Sequence, residues 1–194
     1  MRWYFVFFGL VNFIALFVAF ILSLNVIADY FSYFTVLSNI LVTGIFLTIG
    51  LFGFKKMKKS RFISIFYGAS VLYMGITGIV YWTILHGGKQ LTTDVEWITL
   101  VLHGLMPIAV VVGWILISKH YTWKHILSWL LFPFFFVIYT LIRGFFVHWY
   151  PYPFLNPSLV GYEGVVIWTF GILTGSFFVG LFLLLLGKVS WKHL

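Results

Sequence analysis

Cysteine is missing from this chain of 194 residues. Its absence excludes disulfides and all thiol chemistry, and it leaves the redox compartment unreadable. Charge is nearly as scarce. Asp, Glu, Lys and Arg make up 8% of the residues, where a soluble domain carries about 25%. Chemical signatures are lacking too. No Gly-rich phosphate loop, no Ser-His-Asp motif and no His-Glu-x-x-His pair occurs in the sequence, so nothing points to phosphate-loop or zincin chemistry.

Apolar residues are what the chain has in abundance. They form 62% of it, more than a soluble fold of this length could keep from water. The composition reads as an integral membrane protein whose first partner is the lipid bilayer. A spanning helix needs about 20 mostly apolar residues. The stretches 3–27, 33–54, 62–85, 97–118, 126–147 and 165–186 qualify. None shows the period-two alternation of a membrane barrel, so the spans are helices. The first is too long for a signal-peptide core of about 7–15 residues and has no Ala-x-Ala site, so it is expected to be retained. The expected fold is all-α: a polytopic membrane protein, one six-transmembrane-helix bundle over residues 1–194, without linker or soluble module.

The net charge of +8 is an orientation signal, and no nucleic-acid partner is expected. Lys55, Lys56, Lys58, Lys59 and Arg61 fill the connection between the second and third spans. Lys119 and Lys124 lie in the fourth connection, and Arg2, Lys188 and Lys192 flank the ends. Asp29, Lys89, Asp94, Glu96 and Glu163 lie on the other side. Loops rich in Lys and Arg stay inside. Both the N- and C-termini are therefore expected in the cytoplasm, with anionic lipid beside the basic loops. Gly171-x-x-x-Gly175, and Gly68, Gly75 and Gly78 in the third span, are expected helix contacts. Trp149, Tyr150, Tyr152, Trp97, Trp82 and Tyr30 fit an outer aromatic belt.

Against this apolar background two basic side chains stand out. His103 lies in Leu-Val-Leu-His-Gly-Leu-Met-Pro and Arg143 in Tyr-Thr-Leu-Ile-Arg-Gly-Phe-Phe. A basic group inside a membrane helix costs about 2.5–3.5 kcal/mol, which makes it a functional candidate. Helix rise sets Thr35, His103 and Arg143 at one depth, about 5–10 Å inside the outer boundary. Each has polar companions at helical spacing: Ser38 and Asn39 near Thr35, Thr99 before His103, and Tyr139 and Thr140 before Arg143. Ser70, Tyr73, Thr77 and Tyr81 form a stripe on the third span. These faces are expected to line an outward-opening polar cavity.

Proline adds to the pattern. Pro107 follows His103 by four residues and frees the His103 carbonyl, so the helix should bend or loosen there. Pro133 does the same for Trp129. The loop Trp149-Tyr-Pro-Tyr-Pro-Phe-Leu-Asn-Pro157 is stiff, and reads either as a lid or as an interfacial loop.

A threonine hydroxyl becomes a nucleophile when a neutral histidine takes its proton. The bland alternatives are a threonine bonded to its own backbone and a histidine that only joins helices. Arg143 reads as a clamp for a carboxylate or phosphate, as a snorkelling side chain, or as a partner of Glu163 or Asp29. His86, His103 and His148, with Asp29 and Asp94 nearby, form an alternative zinc set. Haem is not supported, because only His103 is clearly inside a span.

The stretch Tyr33-Phe-Thr-Val-Leu-Ser-Asn39, the His103-x-x-x-Pro107 element, and Trp129-Leu-Leu-Phe-Pro through Tyr139-Thr-Leu-Ile-Arg-Gly144 to Pro157 carry a resemblance. Over residues 30–162 the chain resembles a family of small bacterial six-helix membrane proteins without an assigned general activity. More distantly it is similar to the androgen-induced and androgen-dependent TFPI-regulating proteins. Those are intramembrane hydrolases of fatty acid esters of hydroxy fatty acids, working through a threonine and a histidine. The resemblance implies a bacterial plasma-membrane hydrolase of lipid esters that needs no cofactor, with Thr35 as nucleophile and His103 as general base. Arg143, Asn39 and Tyr139 are the candidate substrate-binding residues. The alternatives are a carrier for a small anionic or amphiphilic solute, and a zinc-dependent membrane hydrolase using His86, His103 and His148.

Overall fold

The computed structural model describes residues 1–53, 60–86, 95–117 and 121–188. Six helices are long and apolar enough to cross a membrane: α1 (Arg2–Leu22), α2 (Phe34–Phe52), α3 (Arg61–Leu85), α4 (Glu96–Leu116), α5 (Trp123–Val147) and α6 (Pro157–Gly187). No strand occurs among the described residues. Lys55, Lys56, Lys58, Lys59, Lys89, Asp94, Lys119 and Lys192, on which the expected orientation partly rests, lie outside the described residues, as does the side chain of Lys188.

The first span is shorter than expected. α1 stops at Leu22, where Ser23 leaves helical geometry, and a 3-10 turn (Leu24–Val26) and a single helical turn (Ile27–Tyr30) follow. The sixth is longer and begins at Pro157, whose ring pre-sets the first helical φ and lacks only an N–H that would go unused. It breaks once, at Gly161, where φ is 69°. Arg2 ties the two ends of the first hairpin together: Nε donates to the Gly50 carbonyl at 3.0 Å, and the guanidinium also reaches the Leu51 carbonyl. Cations are favoured at such a helix C-terminus.

α3 is the central helix. Its spanning window is 67% buried, against 22% for α5 and α6. The expected polar stripe turns inward: Ser70, Tyr73, Thr77 and Tyr81 are all buried. Each has internal work. Tyr73 donates to the Trp129 carbonyl at 2.8 Å, the one Pro133 leaves without its helical donor. The Thr77 and Ser38 hydroxyls bond at 3.0 Å, and Ser70 donates to the Tyr67 carbonyl. The outer faces of α5 and α6 are apolar, with Phe145, Phe146, Ile167 and Phe170 exposed. A surface of this kind suits lipid rather than water.

Two expectations need correction. Tyr30 and Tyr152 are not belt residues but are buried, and the Tyr30 hydroxyl donates to the Leu16 carbonyl at 2.8 Å. Nor are Gly171 and Gly175 helix contacts: a Cβ at either position would meet nothing within 4 Å. They sit on a sparsely packed helix, where small size is not required. Gly68 behaves as expected, because a Cβ there would fall 2.1 Å from Trp129.

The contrast is testable. Gly68→Ala should force the buried indole to move and destabilise the bundle by about 1–3 kcal/mol. Gly171→Ala should be neutral or slightly stabilising, since Ala exceeds Gly in helix propensity by about 1 kcal/mol. Thermal unfolding of the two variants in detergent reads the difference.

Candidate active site

Thr35 is placed by the start of α2. Tyr33 is the N-cap in extended conformation (φ −87°, ψ 129°), which makes Phe34 and Thr35 the first helical residues. The Ser32 hydroxyl donates to the Ala28 carbonyl at 2.7 Å and fixes the approach. First-turn N–H groups have no intrahelical acceptor. The Thr35 N–H instead points to the Tyr152 hydroxyl oxygen, 3.4 Å away.

His103 is placed by irregular helix. α4 is a π-helix at Val101–Leu105, between regular segments at Glu96–Leu100 and Met106–Leu116. The loosening expected from Pro107 is present, and π turns of this kind recur at functional sites. The Trp82 indole donates to the His103 carbonyl at 3.0 Å, supplying the bond that Pro107 cannot. Trp82 belongs to a second π turn, Tyr81–Leu85, at the end of α3. That turn also lays the Tyr81 ring on the imidazole, with centroids 4.1 Å apart and planes at 27°.

The two side chains meet. Thr35 Oγ1 lies 3.2 Å from His103 Nε2. His103 Nδ1 lies 3.2 Å from the Thr99 carbonyl oxygen, one helical turn back. A carbonyl can only accept, so Nδ1 carries the ring proton. Nε2 is then an acceptor, and the Thr35 hydroxyl is its donor. A neutral histidine with its lone pair on a hydroxyl is the arrangement of a general base and the nucleophile it activates. His103 is buried, and Thr35 is half-buried.

Asn39 holds the pair in register. Its Nδ2 donates to the Thr35 carbonyl at 2.8 Å and to the Leu102 carbonyl at 3.3 Å, tying α2 to the π turn of α4. Tyr139 and Arg143 lie at the same end of the bundle but are engaged elsewhere. The Tyr139 hydroxyl bonds Ser32 Oγ at 2.9 Å. Arg143 pairs with Asp29 at 2.5 Å and stacks over Trp149, 5.0 Å from the ring centroid. Of the two anions considered for Arg143, Asp29 is the one it meets.

Beside Thr35 is an apolar cavity of about 60 Å³ between α3, α5 and α6, walled by Ile76, Val80, Phe136 and Ile172. The connection from α5 to α6 closes it. Tyr152, Phe154 and Leu155 are buried and line the cavity, and the Tyr152 and Phe154 rings stack in parallel 5.2 Å apart. This strap takes the lid position, not that of a free interfacial loop. Tyr152 and Trp82 are the site residues that sequence reasoning missed; both resemble belt aromatics until their partners are known.

The zinc set does not assemble. No group of three His, Asp or Glu side chains comes together among the described residues, and Asp94 lies outside them. His103 spends both ring nitrogens on Thr35 and Thr99, His86 packs on the rings of Tyr81 and Trp82, and exposed His148 ends α5 in left-handed geometry. Comparison with family models, curated proteins and solved structures finds no match to this chain.

The Pro107–Trp82 complementarity makes a prediction. Trp82→Phe leaves a carbonyl without its donor and should cost about 1–3 kcal/mol. Adding Pro107→Ala restores a backbone N–H and should recover part of that loss. Unfolding of the four chains in detergent, as a double-mutant cycle, should therefore show clear coupling.

Proposed function

We propose that the protein is an integral membrane hydrolase of lipid esters, with Thr35 as nucleophile and His103 as general base. The observation that carries this reading is the Thr35 hydroxyl on the free nitrogen of an imidazole whose other nitrogen is held by a carbonyl. In the proposed reaction Oγ1 attacks the ester carbonyl as Nε2 takes its proton, and His103 then gives that proton to the departing alcohol. Water, deprotonated in turn by His103, releases the acid and regenerates Thr35.

The apolar wall beside Thr35 suits hydrocarbon and offers little to a charged group. Asn39 acts by holding the nucleophile's helix against the base. Arg143 and Tyr139 act as braces: with Asp29, Ser32 and Trp149 they join the α1–α2 connection to α5 and the strap. A substrate carboxylate would have to displace Asp29 to reach Arg143. The basic connections favour cytoplasmic termini, which sets the site in the outer half of the membrane; the resemblance makes that membrane a bacterial plasma membrane.

Purified protein in detergent, given a panel of short- and long-chain esters, tests the chemistry. Thr35→Ala and His103→Ala should each lower turnover by about 10⁴-fold or more, and the double variant should lose no more than either alone. Thr35→Ser should retain part of the rate and trap an acyl group on residue 35. If no ester is cleaved but an anionic amphiphile binds, a carrier replaces the hydrolase. Arg143→Ala should slow neutral and carboxylate-bearing esters alike; a loss confined to the latter would make Arg143 a substrate anchor. Single-cysteine labelling of this cysteine-free chain tests orientation: position 57 should react only after the cells are opened.

A further inference from the structure

We propose that Tyr152 is the oxyanion donor of this site, a catalytic residue carried by the strap. The inference rests on the Thr35–His103 reading and deepens it.

Hydrogen-bond direction is the first support. The Tyr152 hydroxyl oxygen accepts the Thr35 N–H at 3.4 Å, in the first turn of α2. A phenol has one proton and two acceptor lone pairs. With a lone pair on the N–H, its proton must point elsewhere. The Thr35 hydroxyl gives its own proton to Nε2, so its oxygen keeps a lone pair that can accept from Tyr152. On attack that oxygen becomes bonded to the ester carbon. The carbonyl oxygen, gaining the π electron pair, is then the new acceptor within reach of the same phenol. The positive end of the α2 dipole lies behind it and favours the developing negative charge.

Placement is the second support. Tyr152 lies in a connection yet is only 6% exposed, and it lines the cavity together with Thr35. Its ring is gripped by Phe154 and by Tyr33, whose centroid is 6.0 Å away, and Pro151 and Pro153 stiffen the chain on both sides. A donor held in place before the reaction costs no reorganisation during it. The phenol also keeps its proton. Burial pushes it up to about 12, against the opposing pull of its hydrogen bonds with Thr35.

The step balances. The Thr35 Oγ1–carbon bond forms, the carbonyl π pair moves to oxygen, and the hydroxyl proton passes to His103. Tyr152 donates a hydrogen bond but transfers no proton. Collapse re-forms the carbonyl, expels the alkoxide, and returns the His103 proton to it.

Kinetics and inhibitor binding test the assignment. Tyr152→Phe should lower kcat by about 10²–10³-fold with KM little changed. A long-chain trifluoromethyl ketone, which adds to a hydroxyl nucleophile as an alkoxide, should lose a similar factor in affinity. The matching secondary alcohol, which forms no oxyanion, should bind as to wild type. A 3,5-difluorotyrosine at position 152 keeps the shape and makes the phenol more acidic, so it serves if the Phe variant does not fold. Its activity should fall at a lower pH than that of wild type, because a phenolate cannot donate. Wild-type turnover in Tyr152→Phe, equal loss of ketone and alcohol binding, or an unshifted alkaline limb would each overturn the assignment while ester cleavage by wild type stands. Failure of the wild-type chain to cleave any ester overturns the hydrolase reading and this inference with it.

Discussion

A backbone carbonyl surrounded by hydrocarbon must find a donor, and this constraint organises the bundle. Pro107 and Pro133 each remove the N–H that would have served the carbonyl four residues earlier. Both freed carbonyls are met from α3, by Trp82 at His103 and by Tyr73 at Trp129. The central helix therefore does more than fill space. It carries the donors that make two interrupted neighbours tolerable, and that requirement fixes its rotation. Once α3 is so turned, Tyr81 lies on the imidazole and Thr77 meets Ser38 on α2.

The same chain of cause reaches the dyad. Pro107 loosens α4 into a π turn, and the turn carries His103 on its inner face. The Thr99 carbonyl then selects the tautomer, and the tautomer decides which nitrogen faces Thr35. Asn39 locks the two helices in register through two carbonyls, Thr35 and Leu102. Removal of one proline amide hydrogen thus propagates, through hydrogen bonds of fixed direction, to a hydroxyl and an imidazole at 3.2 Å.

How much of this is legible in the sequence depends on whether local geometry suffices. Six apolar helices, the common depth of Thr35 and His103, and the carbonyl freed by Pro107 follow from helix rise and covalent structure. The partners do not. Nothing local tells that Trp82, rather than water or lipid, meets the His103 carbonyl. Tyr152 sits in a loop rich in aromatics and proline, which in a membrane chain looks interfacial, and only packing shows it turned inward from the strap beside Thr35. Gly171 and Gly175 have contact spacing, but α6 leaves that face uncovered. His86, His103 and His148 share a side of the bundle without converging, because depth is set by sequence and azimuth by packing.

In the proposed reaction His103 becomes an imidazolium in a low-dielectric interior. Ser-His-Asp hydrolases set a carboxylate behind the histidine to hold its tautomer and offset that charge. Here Nδ1 meets a backbone carbonyl, which holds the tautomer but brings only a dipole. Asp29, at the same end of the bundle, is already paired with Arg143. The other electron-rich surface on the ring is the face of Tyr81, with centroids 4.1 Å apart. A cation over an aromatic face gains about 0.5–2 kcal/mol, more as water is excluded. In that reaction the stacked tyrosine would do electrostatically what the carboxylate does elsewhere, but more weakly. It also adds no formal charge to the membrane interior while the site is at rest. That fits an apolar setting, where a permanent buried anion would need a counter-charge of its own.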